Sequence, residues 1–390
     1  MRTLTAPERP PSAGADRPAA RGRWIWTLTG LATTGLLAWP VLVLILNAGN
    51  SGQGEFVTAA PTVTRTVTVT QSVTSLSVDS YGAPIQITAG PVHSITVREA
   101  ISYFGPGQGS AVTDTVSHGR LTLAAPVCAD TGCSVGFTVT VPPSVTVTAD
   151  SENGGIAVAG VAGANLDSDG GNVQASHIHG PLSISSEDGG ITVSDVDSAG
   201  GANLDSGGGP VQASNIHGPL TIASEDGDIT VSDVTAPGLN LDSGGGAIQV
   251  ARVTGPLTLA SEDGNVTVNG LTGDLDADTG GGGIAGDVTS GRASVQTEDG
   301  SAALTFNSGP AYVFVDTGGG PAQLAFDKAP TAVTVNTEDG SATVSVPGGP
   351  YLVTADSEDG SQTIDIPTAP TAHRALTVST EGGPLQIVPR

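Results

Sequence analysis

Beyond residue 150 the chain alternates aliphatic and small polar residues with a period of two, the signature of strands that bury one face. Leu182 and Ile184, followed by Ile191 and Val193, fall on one side, with Ser183, Ser185, Thr192 and Ser194 between them. The same pattern returns as Leu220, Ile222, Ile229 and Val231, then as Leu257, Leu259, Val266 and Val268. Three stretches, beginning at Asn165, Asn203 and Asn240, align almost letter for letter; the first reads NLDSDGGNVQASHIHGPLSISSEDGGITVSDV. Within each, a four-residue punctuation of Ser or Thr, two variable residues and Gly occurs twice. It recurs thirteen times from Ser151 to Thr380, at intervals of 17 to 23 residues, so the structural unit is about 19 residues long.

That length decides the architecture. Propeller blades and helical repeats need about 34 residues or more per unit. Nineteen residues hold two or three short strands and their corners, which makes the chain all-β: a β-solenoid. One coil cannot bury its apolar face alone, so the aliphatic positions must stack into continuous columns. Thirteen corners give twelve steps of about 4.8 Å, or roughly 60 Å of solenoid.

The corners have their own chemistry. Gly in the fourth position is expected to take positive φ, and Ser or Thr in the first to bond the turn's backbone. The two middle residues alternate between acid pairs and glycines: Glu187-Asp188, Glu225-Asp226, Glu262-Asp263 and Glu298-Asp299 interleave with Gly207-Gly208, Gly244-Gly245 and Gly280-Gly281. Interleaving separates the acid pairs by about 9.6 Å, close to the screening length at physiological salt. In sequence order the alternation fails at the end, where Glu338-Asp339 and Glu358-Asp359 fall on consecutive corners.

The N-terminal part is different. Residues 24–46 run without a charge, WIWTLTGLATTGLLAWPVLVLIL, long enough as a helix to cross a bilayer. Five arginines precede the run against Glu8 and Asp16, and no charge follows it until Glu55. The positive-inside rule therefore puts the N-terminus in the cytoplasm and the rest of the chain outside, at the cell membrane. The run exceeds the 7–15 apolar residues of a cleaved signal, so it reads as a single-pass anchor. Five domains follow: a disordered cytoplasmic tail (1–23), a transmembrane helix (24–46), a Thr- and Gly-rich stalk (47–75), a strand-rich lead-in and cap (76–150) and the regular solenoid (151–390). In an oxidising compartment Cys128 and Cys133 can pair across the short loop CADTGC. At the far end Pro389 and Arg390 are placed to discourage further edge pairing.

The succession of anchor, SVDSYGAPIQI, VPPSVTV and serial SEDG and DSGGG turns resembles the bacterial "putative adhesin" family of β-strand-repeat proteins over residues 62–390. The resemblance implies a β-repeat fold in a family without an assigned biochemical activity, and it supplies no functional residues.

Composition narrows the partners. The chain carries 13 Lys+Arg against 38 Asp+Glu, for a net charge of −25, and is 3% aromatic. Nucleic acid needs a basic face and is excluded. His177, His179 and His217 invite a metal reading, but His179 and His217 lie two coils apart, about 9.6 Å, too far for one zinc ion. The weak candidates for a divalent cation such as Ca²⁺ are Glu338, Asp339, Glu358 and Asp359, as the one pair of acid corners adjacent in sequence order. Carboxylates are so numerous that some pair must fall at glycosidase spacing, which therefore points to no enzyme. No GK[ST] follows the glycine runs, and Tyr312 and Phe314 are the nearest approach to an aromatic cluster. No cofactor is expected. The chain reads as a non-enzymatic, adhesin-like interaction or structural protein whose partner is a surface protein or glycan. The alternative is an envelope-sensing membrane protein whose acidic ectodomain binds cations weakly.

Overall fold

The computed structural model describes residues 62–103, 112–125 and 133–390. The tail, the apolar run 24–46, most of the stalk and Cys128 lie outside the described residues. No helix among the described residues is long and apolar enough to cross a membrane. Residues Thr58–Arg390 form one compact unit, and among its described residues all regular structure is strand.

Each coil contributes two strands. An approach strand ends on the corner Ser or Thr, and an exit strand leaves from the corner Gly. Approach strands such as Leu182–Ser186 stack in parallel into a sixteen-stranded sheet, and exit strands such as Ile191–Asp197 into a seventeen-stranded one. Two of the seventeen and one of the sixteen are antiparallel additions, which leaves fifteen two-strand coils among the described residues. The two sheets face each other across columns of aliphatic side chains. Leu166, Ile184, Leu204, Ile222, Leu241 and Leu259 follow one another in register, each at most 2% exposed. Further along, Phe306 stacks on Phe326 in the exit sheet with ring centroids 4.8 Å apart. The expected repeat, coil length and alternation are all present.

The corners work differently from the expectation in one respect. At most corners the Ser or Thr side chain is buried and donates to the carbonyl three residues on, as Ser186 does to Gly189 at 2.8 Å and Thr317 to Gly320 at 2.7 Å; Ser151 instead accepts from the Gly154 N–H, and half-buried Ser357 donates to Gly383 of the neighbouring coil. The fourth-position glycines, however, do not have positive φ. They are required by close approach: a methyl on Gly209 would land on the carbonyl of Gly189, and one on Gly227 on that of Gly209. Left-handed backbone appears instead within the exit strands, at His177, Asp195, Asn215, Asp233 and Arg252, with φ between 54° and 57°. These residues bend the strand, so two outward residues precede the next buried one, Ile178, Val196, Ile216, Val234 and Val253 in turn.

The ends of the stack depart from chain order. The strands Ala375–Thr380 and Leu385–Pro389, last in sequence, insert between the coil of Ala332–Thr337 and Ala342–Val346 and that of Leu352–Ser357 and Gln362–Ile364. The C-terminal strand is thus internal, and Pro389 pairs with Val346 rather than guarding an edge. The true edge is Leu352–Ser357 and Gln362–Ile364, where Leu352 and Ile364 are 41% and 40% exposed. At the other end the coil of Ser75–Ser80 and Ile85–Ala89 lies between those of Arg120–Ala124 with Cys133–Val141 and Thr146–Ser151 with Ile156–Ala159. Ser80 stacks on Ser151 and donates to Ala83, so the lead-in already contains a corner that the Gly-based punctuation does not reveal. Cys133 is buried and is not a free thiol.

Antiparallel strands cap this N-terminal end. On the exit sheet Ile95–Tyr103 pairs with Cys133–Val141 and then with Thr62–Val69. On the approach sheet Thr113–Ser117 pairs with Arg120–Ala124. Glu99 points inward among Ile95, Val97 and Ile101, fully buried.

Candidate interaction surfaces

Three exterior features carry chemistry. The first is the acidic edge along the corners. In the approach strands the residue before the corner alternates between Asp and an uncharged residue: Asp205, Ala223, Asp242, Ala260, Asp278 and Gln296 stack in register. The alternation is out of phase with that of the corners. From Asp205 to Asn336 a coil with Asp carries Gly-Gly, and a coil without it carries Glu-Asp. Charge is therefore spread evenly along the edge, and the glycine corners leave notches between acid ridges. One notch of about 580 Å³ has Asp242 within it and Glu225, Asp226, Glu262 and Asp263 on either side; the next, about 520 Å³, repeats it around Asp278. The spacing breaks at the edge coil, where Asp356 precedes Glu358-Asp359, and where Asp79, Asp150 and Asp167 stack on consecutive coils. There partial burial, followed by repulsion from Asp79 and Asp167, raises the carboxyl of Asp150 above its usual range.

Glu338-Asp339 and Glu358-Asp359 are not neighbours in space. The inserted coil puts the corner of Thr380, Glu381, Gly382 and Gly383 between them: Gly382 donates to the Glu338 carbonyl, and Asp359 to that of Glu381. The third corner position thus keeps its interleaving through Gly382, whereas Glu381 fills the second. Among the described residues no group of three His, Cys, Asp or Glu side chains has the geometry to hold a metal ion.

The second feature is the polar ladder at the exit-strand bend. His177, Asp195, Asn215, Asp233 and Arg252 succeed one another there. Asn215 donates its amide to Asp195, and His177 Nε2 lies 3.9 Å from the same carboxylate. Arg252 grips Asp233 in a bidentate pair of 2.7 and 2.6 Å. The Asn215 hydrogen bond holds Asp195 below the usual carboxylate range, and the Arg252 hydrogen bonds do the same for Asp233. Asn, Asp and His tolerate left-handed backbone best among non-glycine residues, which is why they collect there. His177 and His179 are both exposed around buried Ile178, and the position between His179 and His217 is Asp197. The pattern ITVSDV, with two polar residues between aliphatics, is the sequence signal of this bend.

The third feature is a furrow on the outside of the approach sheet. Its ladder runs in register through Thr148, Asn165, Ser183, Asn203 and Thr221 to Asn240 and Thr258. Their side chains make no hydrogen bond within the described residues. Beside them Gly163, Pro181, Gly201 and Pro219 alternate at the second corner, and the two columns line a depression of about 490 Å³. Farther along the same face a depression of about 310 Å³ is lined by Thr258, Asp276, Arg292, Ser294 and Tyr312. Tyr312 is 46% exposed, and Phe314 is half-buried on the same outward face.

At the capped end, Arg65 joins the two sheets. Its guanidinium donates to Asp114 at 2.9 Å and lies 3.7 Å from Glu99. Neither Glu99 oxygen accepts a hydrogen bond, and burial raises its carboxyl above the usual range despite the attraction of Arg65.

A parallel two-sheet solenoid with Ser/Thr-x-x-Gly corners and an antiparallel cap defines the class of this protein. The Toastrack DUF4097 family model matches residues 73–284 and again 217–383, and the chain belongs to that family. No curated protein shows significant sequence similarity to it. Solved structures similar to it include a "putative cell adhesion protein" from Clostridium sporogenes, 7% identical, covering 85% of this chain and 100% of that one at a TM-score of 0.19. A "putative adhesin" from Bacteroides fragilis is 14% identical over 85% and 97%, at 0.23. One from Parabacteroides distasonis is 11% identical over 84% and 97%, at 0.26.

Proposed function

We propose that the chain is a single-pass, N-in membrane protein that holds its solenoid outside the cell as a non-catalytic, adhesin-like interaction surface. The observation that carries this reading is the ladder from Thr148 to Thr258: unengaged polar side chains repeat once per coil along the exterior instead of converging on a cleft. Such an array suits an extended partner. The uncharged run 24–46, with five arginines before it, supports the anchor and its orientation. Two measurements on the producing cells test the reading. Protease added to intact cells should remove the solenoid, and deleting the gene should lower attachment of the cells to a surface or to one another. A solenoid degraded only after lysis, or unchanged attachment, sinks it.

A second reading, a cation-responsive envelope sensor, is favoured by the notches around Asp242 and Asp278, each flanked by four carboxylates. Carboxylate oxygens are the ligands that Ca²⁺ prefers.

A further inference from the structure

The furrow on the approach sheet has a definite chemistry. From Thr148 to Thr258 every coil offers one short amide or hydroxyl, none charged. Amides and hydroxyls both donate and accept, which is what a ring of sugar hydroxyls requires. The coils repeat at about 4.8 Å, close to the rise of one hexose in an extended β-linked glycan, so a chain laid along the axis meets an equivalent side chain at each residue.

Toward the far end the face changes. The column continues from Thr258 through Asp276, its one charged member, to Ser294, which pairs in register with Phe314, while Arg292 pairs with Tyr312. Tyr312 is the one exposed aromatic among the described side chains. Tyr312 and Phe314 stand two residues apart on one strand, about 6.6 Å, facing outward beside Arg292 and Asp276. An aromatic face left in water next to hydrogen-bonding groups is suited to stacking on the apolar face of a pyranose. Beside the ladder, Asp167, Asp205 and Asp242 repel polyanions.

We propose that the outer face of the approach sheet, from Thr148 to Phe314, binds an uncharged, extended β-linked polysaccharide along the solenoid axis, with Tyr312 and Phe314 as its stacking platform. The proposal deepens the surface-interaction reading and rests on it.

The test is calorimetric titration of the full chain in detergent with cellohexaose and chitohexaose, with maltohexaose and polygalacturonate as the α-linked, coiled and the anionic comparisons. At least one β-linked oligomer should bind, and the two comparison ligands should bind at least about tenfold more weakly. Tyr312→Ala should weaken binding about tenfold. Asn203→Asp, which puts a charge in the ladder, should weaken it as well. Both positions are exposed, and unchanged thermal melts would establish that the variants fold. No binding of either β-linked oligomer at millimolar concentration overturns the proposal, as does binding indifferent to both substitutions or equal binding of the comparison ligands. If attachment of cells depends on the solenoid while these titrations fail, the glycan is wrong and the interaction reading stands. If the titrations succeed while attachment is unaffected, the furrow stands and that reading fails.

Discussion

Thr380 stacks directly on Thr337, and Ser357 lies on the far side of Thr380, so the last coil of the sequence is the next-to-last coil of the solenoid. The insertion separates two acid-pair corners that chain order would make neighbours. It also leaves the more exposed strands, Leu352–Ser357 and Gln362–Ile364, at the edge.

Cross-linking reads this order directly. Neighbouring coils are about 4.8 Å apart and alternate coils about 9.6 Å, while a disulfide needs Cα atoms within about 7 Å. Glu338→Cys with Glu381→Cys should therefore oxidise readily, and Glu338→Cys with Glu358→Cys should not. Gel mobility with and without reductant distinguishes them; the reverse result would restore stacking in chain order.

The corner glycines are needed for close approach. Gly209→Ala drives its methyl into the Gly189 carbonyl and should cost about 3 kcal/mol, as overpacking of a tight core does. Gly238→Ala meets nothing within 4 Å and should be neutral within about 0.5 kcal/mol. Denaturant unfolding of both variants compares the two sites; similar losses would mean that conformational freedom, not space, selects glycine.

At the exit-strand bend, backbone conformation rather than space is limiting. Asn215 has φ of 54°, a region that penalises β-branched residues most. Asn215→Val should destabilise by about 1–2 kcal/mol, and Asn215→Gly by less, although both lose the bond to Asp195. Equal losses would assign the whole effect to that bond.

The buried Glu99 makes the cap sensitive to pH. Its folded-state value is raised, first by burial and then by Asp114, against the attraction of Arg65. A raised carboxyl binds its proton more tightly folded than unfolded, so its stabilising contribution is complete below the unfolded value and is lost as pH rises through the folded one. The facing groups are Arg65 on the adjacent outer strand and Asp114 on the edge of the other sheet, with apolar Phe137 opposite in register. Glu99→Gln, which removes the charge that burial disfavours, should raise stability at pH 7 relative to the parent and flatten the acid side of the profile. Asp150, also raised, follows the same sign; Asp150→Asn should stabilise at neutral pH. Melting curves from pH 4 to pH 8 check both, and a steeper profile in Glu99→Gln contradicts the assignment.

The notches give the cation-linked reading its own test. Millimolar Ca²⁺ at constant ionic strength should raise the melting temperature relative to EDTA, since a ligand of the folded state stabilises by mass action. Asp242→Asn should reduce the rise. Equal melts in Ca²⁺ and EDTA remove that reading and leave the acid ridges as solvated charge.

Much of the architecture is legible in the letters. The 19-residue interval, the alternation through Leu182 and Ile184, and the Ser-x-x-Gly corners are local patterns, and stacking identical units is the only way each can bury its aliphatic face. The interleaving of acid pairs with glycines is visible too. Its counterpart in the approach strands, Asp205 and Asp242 against Ala223 and Ala260, becomes meaningful only when coils are set in register. Ser80 escaped because its corner ends in Ala83 rather than Gly.

By itself the sequence determined the coil length, the two aliphatic columns of each coil and the excess of acid, because these follow from periodicity and composition. The tertiary structure decided which coil lies against which at the two ends, where Glu99 is buried and which polar face is left unengaged. Coils built on one pattern are nearly interchangeable as partners, so local sequence does not choose among them. The choice is made by what each end must cover, and that is a property of the whole stack.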